Sequence, residues 1–472
     1  MIINGKREKS ARSFSVINPF TGKKVGSAQI ASFEQIDRAM RLSYKAETRL
    51  TVNERANILN KAADGLNKNK NEFARLIIDE SGLSLKDALH EVDRAVEVAR
   101  VSSIVAKNIN KETTDDYVFH KRSVKPALRV ITEPLDLVVG ITPFNHPLNQ
   151  VAHKVFPAIA AGAAMVLKPS EKTPLSAIKL GELLLELGLE KNMLNIVTGL
   201  PPKKIVDQMV SSPLMDVLTF TGGLEVGLSI IKKMVTSGNV LKKSVLELGG
   251  CSSLIIHEDA DIVNAVKVAM SGCFKNSGQR CTAIRRVIVL ESIADEFVDM
   301  ITGSTKKIKY GNPYDINTDM GTVISEEAAR IIQRRVSDSI REGAVLKTGN
   351  IRKGALYSPT VLDKVNIKSF LTAKETFGPV CAIFRVKNID QAVKLANQTN
   401  YGLAGAVMTE NRKIAEQVFN SLKVGQFSWN GIPSYRSEAA PFGGFKDSGN
   451  GEKEGVVCAA KGMRRIKVFY RH

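Results

Sequence analysis

The chain has 472 residues, enough for two or three domains with sizeable cores. Its hydrophobic share of 43% and charged share of 24% are those of an ordinary globular protein, which excludes a disordered or fibrous chain. Lysine and arginine exceed aspartate and glutamate by 67 − 48 = 19. These basic residues are dispersed, without long blocks or interleaved aromatics, so the excess reads as solvated surface that steers anionic ligands, not as a face for nucleic acid or membrane.

The five cysteines form no C-x-x-C pair and their number is odd, which argues against a zinc site or a disulfide framework and for a reducing compartment. The first ten residues lack the apolar core of a signal peptide. The longest apolar run, 155–167, is bracketed by Lys154 and Lys168 and is too short to cross a bilayer. The expectation is a cytoplasmic protein with no metal centre and no membrane partner.

In chain order, residues 1–30 read as short β segments around a turn at 18–22. Ser32-Phe33-Glu34-Gln35 has the form of a capping box, and helical periodicity then runs to about Lys107, with amphipathic stretches at 53–80 and 84–107. Segment 111–134 alternates through Thr113, Tyr117, Phe119 and Val130, which predicts an extended hairpin outside the main core.

From Pro134 onward strands and helices alternate. Apolar runs at 137–141, 164–167, 194–197, 217–220, 245–248 and 254–256 read as strands, with helices at 147–161, 173–187, 202–210 and 224–237 between most of them. This predicts a doubly wound α/β unit whose parallel sheet is covered on both faces, with ligands bound beyond the carboxyl ends of its strands. A second α/β unit is expected from about Gly250 to Phe442, with helices at 261–274, 293–305, 326–342 and 389–398. The last fifteen or so residues alternate like an edge strand open to a partner's sheet.

Chemistry concentrates where these elements join. Cys281, in Asn276-Ser277-Gly278-Gln279-Arg280-Cys281, follows a helix and precedes a β-branched run. Gly278 permits close backbone approach, and Arg280 beside the thiol is expected to lower its pKa and make it a nucleophile; the alternative is a small buried hydrophobe. Asn145, between Pro143 and Pro147 at a strand end, is either an amide donor for a developing alkoxide or a helix cap. Lys168, Ser170 and Glu171 follow another strand. Lys168 and Glu171 there are either ligands for the two hydroxyls of an adenosine ribose or charges around a helix start. Thr221-Gly222-Gly223, with Gly227, opens a helix at which a pyrophosphate has room to approach, although the run is not the usual G-x-G-x-x-G. Glu247 lies in an apolar strand, as a general base with a raised pKa or as the partner of Lys242 or Lys243. Glu375 and Phe377 bring a carboxylate and an aromatic face into one turn, and 441–446 is a glycine-rich loop.

Taken together and in this order, the motifs resemble the aldehyde dehydrogenase superfamily, of the hydrolytic, NAD(P)-dependent kind. The resemblance runs from about residue 16 to the C-terminus, with Glu247 and Cys281 separated by 281 − 247 = 34 positions as the family pattern has them. It implies an α/β fold: a Rossmann-like cofactor domain (1–112 and 135–248), a catalytic domain (249–445) and a small β oligomerisation arm (113–134 and 456–472) that makes a homodimer or homotetramer. It further implies that Cys281 attacks the aldehyde, that the Asn145 amide and the Cys281 backbone N–H hold the oxyanion, and that Glu247 activates water against a thioester. By the same resemblance Lys168 and Glu171 contact the adenosine ribose of NAD, or of NADP, with Ser170 in the same loop. Thr221 to Gly227 face the pyrophosphate, and Glu375 and Phe377 grip the nicotinamide ribose. Gly223 departs from the family's usual serine. Asn145-His146-Pro147, Gly278-Gln279-Arg280-Cys281 and Tyr435-Arg436 resemble the phosphonoacetaldehyde dehydrogenase branch, with succinate semialdehyde, glyceraldehyde-3-phosphate and lactaldehyde dehydrogenases close beside it. Arg280, His146, Arg94 and Arg436 are accordingly expected to bind an anionic group on a small aldehyde. A non-catalytic protein of the same fold is the alternative of a different class, and it predicts loss of Cys281, Glu247 or Asn145, all of which are present.

Overall fold

A computed structural model describes residues 1–109 and 127–471, and the structural statements below concern those residues. Two seven-stranded sheets organise them. The first has the order Lys243–Glu247, Val217–Thr221, Val138–Ile141, Met165–Lys168, Leu194–Ile196, Ile2–Ile3, Lys6–Arg7. Its first five strands are parallel, and Ile2–Ile3 and Lys6–Arg7 continue the sheet antiparallel. Because Val138–Ile141 pairs with Met165–Lys168 on one side and Val217–Thr221 on the other, the chain reverses its direction of travel there. Such a switch point opens a crevice at the strand ends, and residues 142–147 line it.

Successive residues on these strands face opposite sides, so a strand buried on both faces must be apolar throughout. Val138 and Leu167 pack with Val155, Phe156 and Ile159 of the helix Asn149–Ala161. Val139, Val166 and Leu218 pack on the other face with Ile205, Met209 and Ile230 of the helices Pro202–Ser211 and Leu224–Thr236. Each fully buried Val, Leu, Ile or Phe contributes about 1.5–3 kcal/mol relative to exposure.

The second sheet has the order Val345–Thr348, Thr360–Asp363, Val380–Val386, Ile284–Leu290, Ser252–Ile256, Ala404–Met408, Gln426–Trp429, parallel except for its first strand. It is covered on one face by Ile332, Val336 and Ala392 and on the other by Val268, Phe297 and Ile301. The first sheet ends at Glu247 and the second begins at Ser252, so a loop of four residues joins them.

Three readings are corrected. The stretch 53–80 is two helices, Val52–Lys68 and Lys70–Ser81, broken at Asn69, whose amide Nδ2 donates to the Gly65 carbonyl. Residues 456–462, assigned to the C-terminal arm, form the helix Val456–Gly462, in which Val456 and Ala460 are buried. Only Arg464–Arg471 is strand, and it pairs antiparallel with Ala127–Pro134 of the same chain. The expected hairpin at 111–134 falls largely outside the described residues; its described part is that strand. The capping box at Ser32 forms as expected, with Ser32 and Gln35 bonding each other's backbone N–H.

Candidate active site

The two sheets meet at a cavity of about 180 Å³ lined by Asn145, Thr221, Gly222, Gly223, Glu247, Cys281, Glu375 and Phe377. Residues separated by more than two hundred positions therefore share one small space.

Cys281 is delivered by an unusual backbone. The helix Ile262–Phe274, capped by the Asp261 side chain, ends in a 3₁₀ turn, Lys275–Gly278. Asn276, Ser277 and Gly278 within it have φ of 59°, 53° and 67°. Three consecutive left-handed residues are costly for L-amino acids and persist only where their surroundings hold them. The Asp87 carboxylate accepts the Asn276 N–H at 3.0 Å. At Gly278 a Cβ would lie 2.2 Å from the Gly378 carbonyl, so the close approach read from the sequence is required.

This turn is tied to the loop that carries Asn145. Asn145 Nδ2 donates to the Gln279 carbonyl at 2.8 Å, and Asn276 Nδ2 donates to the Asn145 carbonyl at 3.1 Å. Asn145 does not cap the following helix. The Glu91 carboxylate does that work, accepting from the Leu148 and Asn149 N–H groups at 2.8 and 3.0 Å.

Glu247 is 2% exposed, and neither of its carboxylate oxygens has a hydrogen-bond partner among the described residues. The lysines proposed as its partners are turned elsewhere, Lys242 to Asp216 and Lys243 to Glu452. Burial, and then the nearby Glu454 charge, push the Glu247 carboxyl well above its ordinary range. Glu454 itself is held ionised against burial by Lys154, whose Nζ donates to it at 2.8 Å and also to Thr219 Oγ1, and then by the Arg436 charge; Thr221 Oγ1 donates to it at 3.2 Å. Sequence reasoning missed Lys154 and Glu454. The available signal was a lysine inside a helix buried on every side.

The thiol behaves opposite to expectation. Burial first, then the charges of Glu247 and Glu375, push Cys281 up to about 12. Arg280 counters this only weakly. Its guanidinium turns back to the Ser271 and Gly272 carbonyls and to Ser434 Oγ, closing the end of the preceding helix. The cation that favours the thiolate most is Arg436.

A second cavity of about 410 Å³ adjoins the first through Pro143, Phe144, Thr221, Gly222 and Gly223, and is also lined by Lys168, Ser170 and Glu171. Lys168 is buried, its Nζ 3.3 Å from Glu171 Oε2. Gly223 caps the helix Leu224–Thr236 with no side-chain bond, and a Cβ there would meet open space. The cleft thus offers free backbone N–H groups at a helix start to a phosphate, and a carboxylate–ammonium pair to a ribose. At its inner end Glu375 is pushed up to about 7 by burial, against the pull of Arg285. Phe377, at φ of 53°, meets Phe144 edge-on at 5.8 Å.

On the other side of the nucleophile loop lies a cavity of about 470 Å³ lined by Arg94, His146, Lys275, Arg280 and Arg436 together with acidic neighbours that include Glu91 and Glu438. Arg94 is ion-paired with Glu438 at 2.8 Å, and His146 Nδ1 lies 3.4 Å from Glu91. Arg280 and Arg436 have no carboxylate partner among the described residues. Nor does any cluster of metal-ligating side chains or any helix long and apolar enough to cross a membrane occur among them.

Residues 6–469 match the aldehyde dehydrogenase family. The 3-sulfolactaldehyde dehydrogenase of Priestia aryabhattai is 34% identical over 470 residues, 99% of this chain and 97% of that one. The lactaldehyde dehydrogenase of Methanococcus aeolicus is 36% identical over 479 residues, 99% of each chain. The NADP-dependent glyceraldehyde-3-phosphate dehydrogenase of Bacillus halodurans, solved with NADP, superposes with a TM-score of 0.94 at 35% identity over 99% of this chain and 98% of that one. A likeness that spans the whole fold and both sides of the cleft makes this chain a member of the aldehyde dehydrogenase family, an NAD(P)-dependent oxidoreductase of small aldehydes.

Proposed function

We propose that the enzyme oxidises a small aldehyde carrying an anionic terminal group to the carboxylic acid, through covalent intermediates on Cys281. The observation that carries the anionic part is that buried Arg280 and half-buried Arg436 both line the 470 Å³ cavity with no carboxylate within ion-pair distance among the described residues. A guanidinium without a directly bonded carboxylate has donors to give an anionic ligand, and a charge-assisted bond there favours that ligand. A phosphonate, phosphate, sulfonate or carboxylate each satisfies this chemistry, and the relatives' names include a sulfonate and a phosphate beside neutral lactaldehyde.

In this reading Cys281 Sγ gives its proton to solvent and bonds to the aldehyde carbon, giving a thiohemiacetal. The second N–H of the Asn145 amide, beyond the one given to Gln279, and the Cys281 N–H hold the oxyanion, each donor being worth about 2.7–4 kcal/mol. Lys168, Ser170 and Glu171 would hold the adenosine ribose of NAD(P), the Gly222–Gly227 turn its pyrophosphate, and Glu375 and Phe377 its nicotinamide end. Bound there, the cofactor supplies the acceptor for the hydride that leaves the carbon, and a thioester remains on Cys281. Glu247 takes a proton from water as it attacks that thioester, and the acid departs while sulfur recovers its proton. A carboxyl whose pKa is raised by burial and by Glu454 is a stronger base than an ordinary carboxylate, which suits it to take that proton.

Self-association is part of the proposal. Ile466, Val468, Phe469 and Tyr470 on the C-terminal strand are each more than half exposed, an apolar surface that a second copy would cover. Light scattering that finds a monomer would refute it.

The test of function is NADH formation with glyceraldehyde 3-phosphate, sulfolactaldehyde, phosphonoacetaldehyde, succinate semialdehyde and propanal. The anionic members should exceed propanal in kcat/KM by tenfold or more. Equal values across the panel would end the anionic reading.

A further inference from the structure

Successive residues of the buried helix Asn149–Ala161 point to two different carboxylates. Lys154 reaches Glu454, whereas His153 Nε2 lies 2.7 Å from Glu438 Oε2. Glu438 is 6% exposed, and its other oxygen accepts from Arg94 Nε at 2.8 Å. At the opposite edge of the imidazole, Nδ1 faces Arg436 Nη2 at 3.5 Å. Arg436 sits over the Phe442 ring, its Cζ 4.0 Å from the centroid.

These distances select one tautomer. A carboxylate oxygen 2.7 Å away favours a proton on Nε2 by charge attraction, although the two atoms are not aligned as a hydrogen bond. Burial keeps the ring neutral, its pKa pushed down to about 4. Nδ1 then carries a lone pair and acts only as an acceptor. It fixes the guanidinium without cancelling its charge, which a carboxylate in the same place would do. The Glu438 charge is meanwhile compensated by Arg94.

We propose that His153, beside Glu438, is the residue that positions Arg436 in the substrate cavity, so that a guanidinium with no carboxylate in direct contact meets the anionic group of the aldehyde. This rests on the anionic-substrate reading above and names what builds that pocket. His153 is a positioning residue, acting through Arg436.

Steady-state kinetics of the holoenzyme test it, with D-glyceraldehyde 3-phosphate and propanal as probes for wild type, His153→Ala and His153→Gln. The His153→Ala variant should lower the ratio of kcat/KM for the phosphate over propanal by about ten- to hundredfold, chiefly through KM, as a guanidinium misplaced by about 1 Å would. Glutamine offers an N–H to Glu438 and a carbonyl to Arg436, so His153→Gln should restore the ratio to within threefold. Equal loss on both substrates, an unchanged ratio in His153→Ala, or failure of glutamine to rescue would overturn the proposal. Where alanine does not fold, Glu438→Gln replaces it, and a tenfold lower ratio is again expected; the wild-type ratio would count against the idea. A wild type with no preference for the phosphate defeats the substrate reading and this proposal together. A preferring wild type whose His153→Ala keeps that preference defeats this proposal alone.

Discussion

The surroundings of the Cys281 sulfur set its reactivity in the resting enzyme. The thiol is pushed up to about 12, four units above an assay pH of 8. Its thiolate fraction there is about 1 in 10⁴, against roughly one in four for an ordinary thiol. Iodoacetamide should therefore alkylate Cys281 of the cofactor-free enzyme about a thousandfold more slowly than free cysteine. The rate should climb about tenfold per pH unit from 7 to 9 without a plateau. Arg436 acts on the thiol more strongly than Arg280, whose guanidinium is turned to backbone carbonyls, so Arg436→Leu should slow labelling more than Arg280→Leu. Timed alkylation, proteolysis and mass-spectrometric quantitation of the Cys281 peptide measure both effects. A plateau below pH 8, or a larger effect of Arg280→Leu, would refute this electrostatic account.

The buried Glu375 carboxyl titrates at about 7 in the fold, so it keeps a proton that the unfolded chain releases near the ordinary carboxylate range. Its contribution is fully present below the unfolded value and is lost as pH rises through about 7, by up to about 3 kcal/mol. Glu375→Gln should accordingly raise the melting temperature of cofactor-free enzyme more at pH 8 than at pH 5, and equal shifts would contradict it. Gly278→Ala puts a Cβ 2.2 Å from a carbonyl at φ of 67°, so thermal denaturation should reveal a loss of about 2 kcal/mol or more, and an unchanged melting point would count against the turn's role. Glu171→Gln removes a charge that opposes a 2′-phosphate and should shift the NADP-to-NAD ratio of kcat/KM about tenfold toward NADP; no shift would place the ribose elsewhere.

Much of the fold was legible in the sequence because its sheet strands are buried on both faces and read as apolar runs, as at Val138–Ile141 and Ser252–Ile256. The site was legible where a chemically capable residue stands at a joint between elements, as with Asn145, Glu247 and Cys281, which share one cavity. What failed was direction. Nothing local says that the Arg280 side chain runs back to the open carbonyls of the helix before it, so adjacency to Cys281 was mistaken for influence on it. Networks between distant segments were equally hidden. Lys154 with Glu454, His153 with Glu438 and Glu91 with the Leu148 N–H are joined only by the fold. The helix Val456–Gly462 was lost in the alternation of the strand that follows it.

The central claim is that Cys281 sulfur carries the acyl group and Glu247 sends in the water that removes it. Intact-protein and peptide mass spectrometry of Glu247→Gln, mixed with NAD and glyceraldehyde 3-phosphate and quenched in acid, tests it most directly. The account predicts one equivalent of NADH and the mass of one acyl group on the Cys281 peptide. Continuous turnover at the wild-type rate, or an acyl group on any other residue, would contradict it.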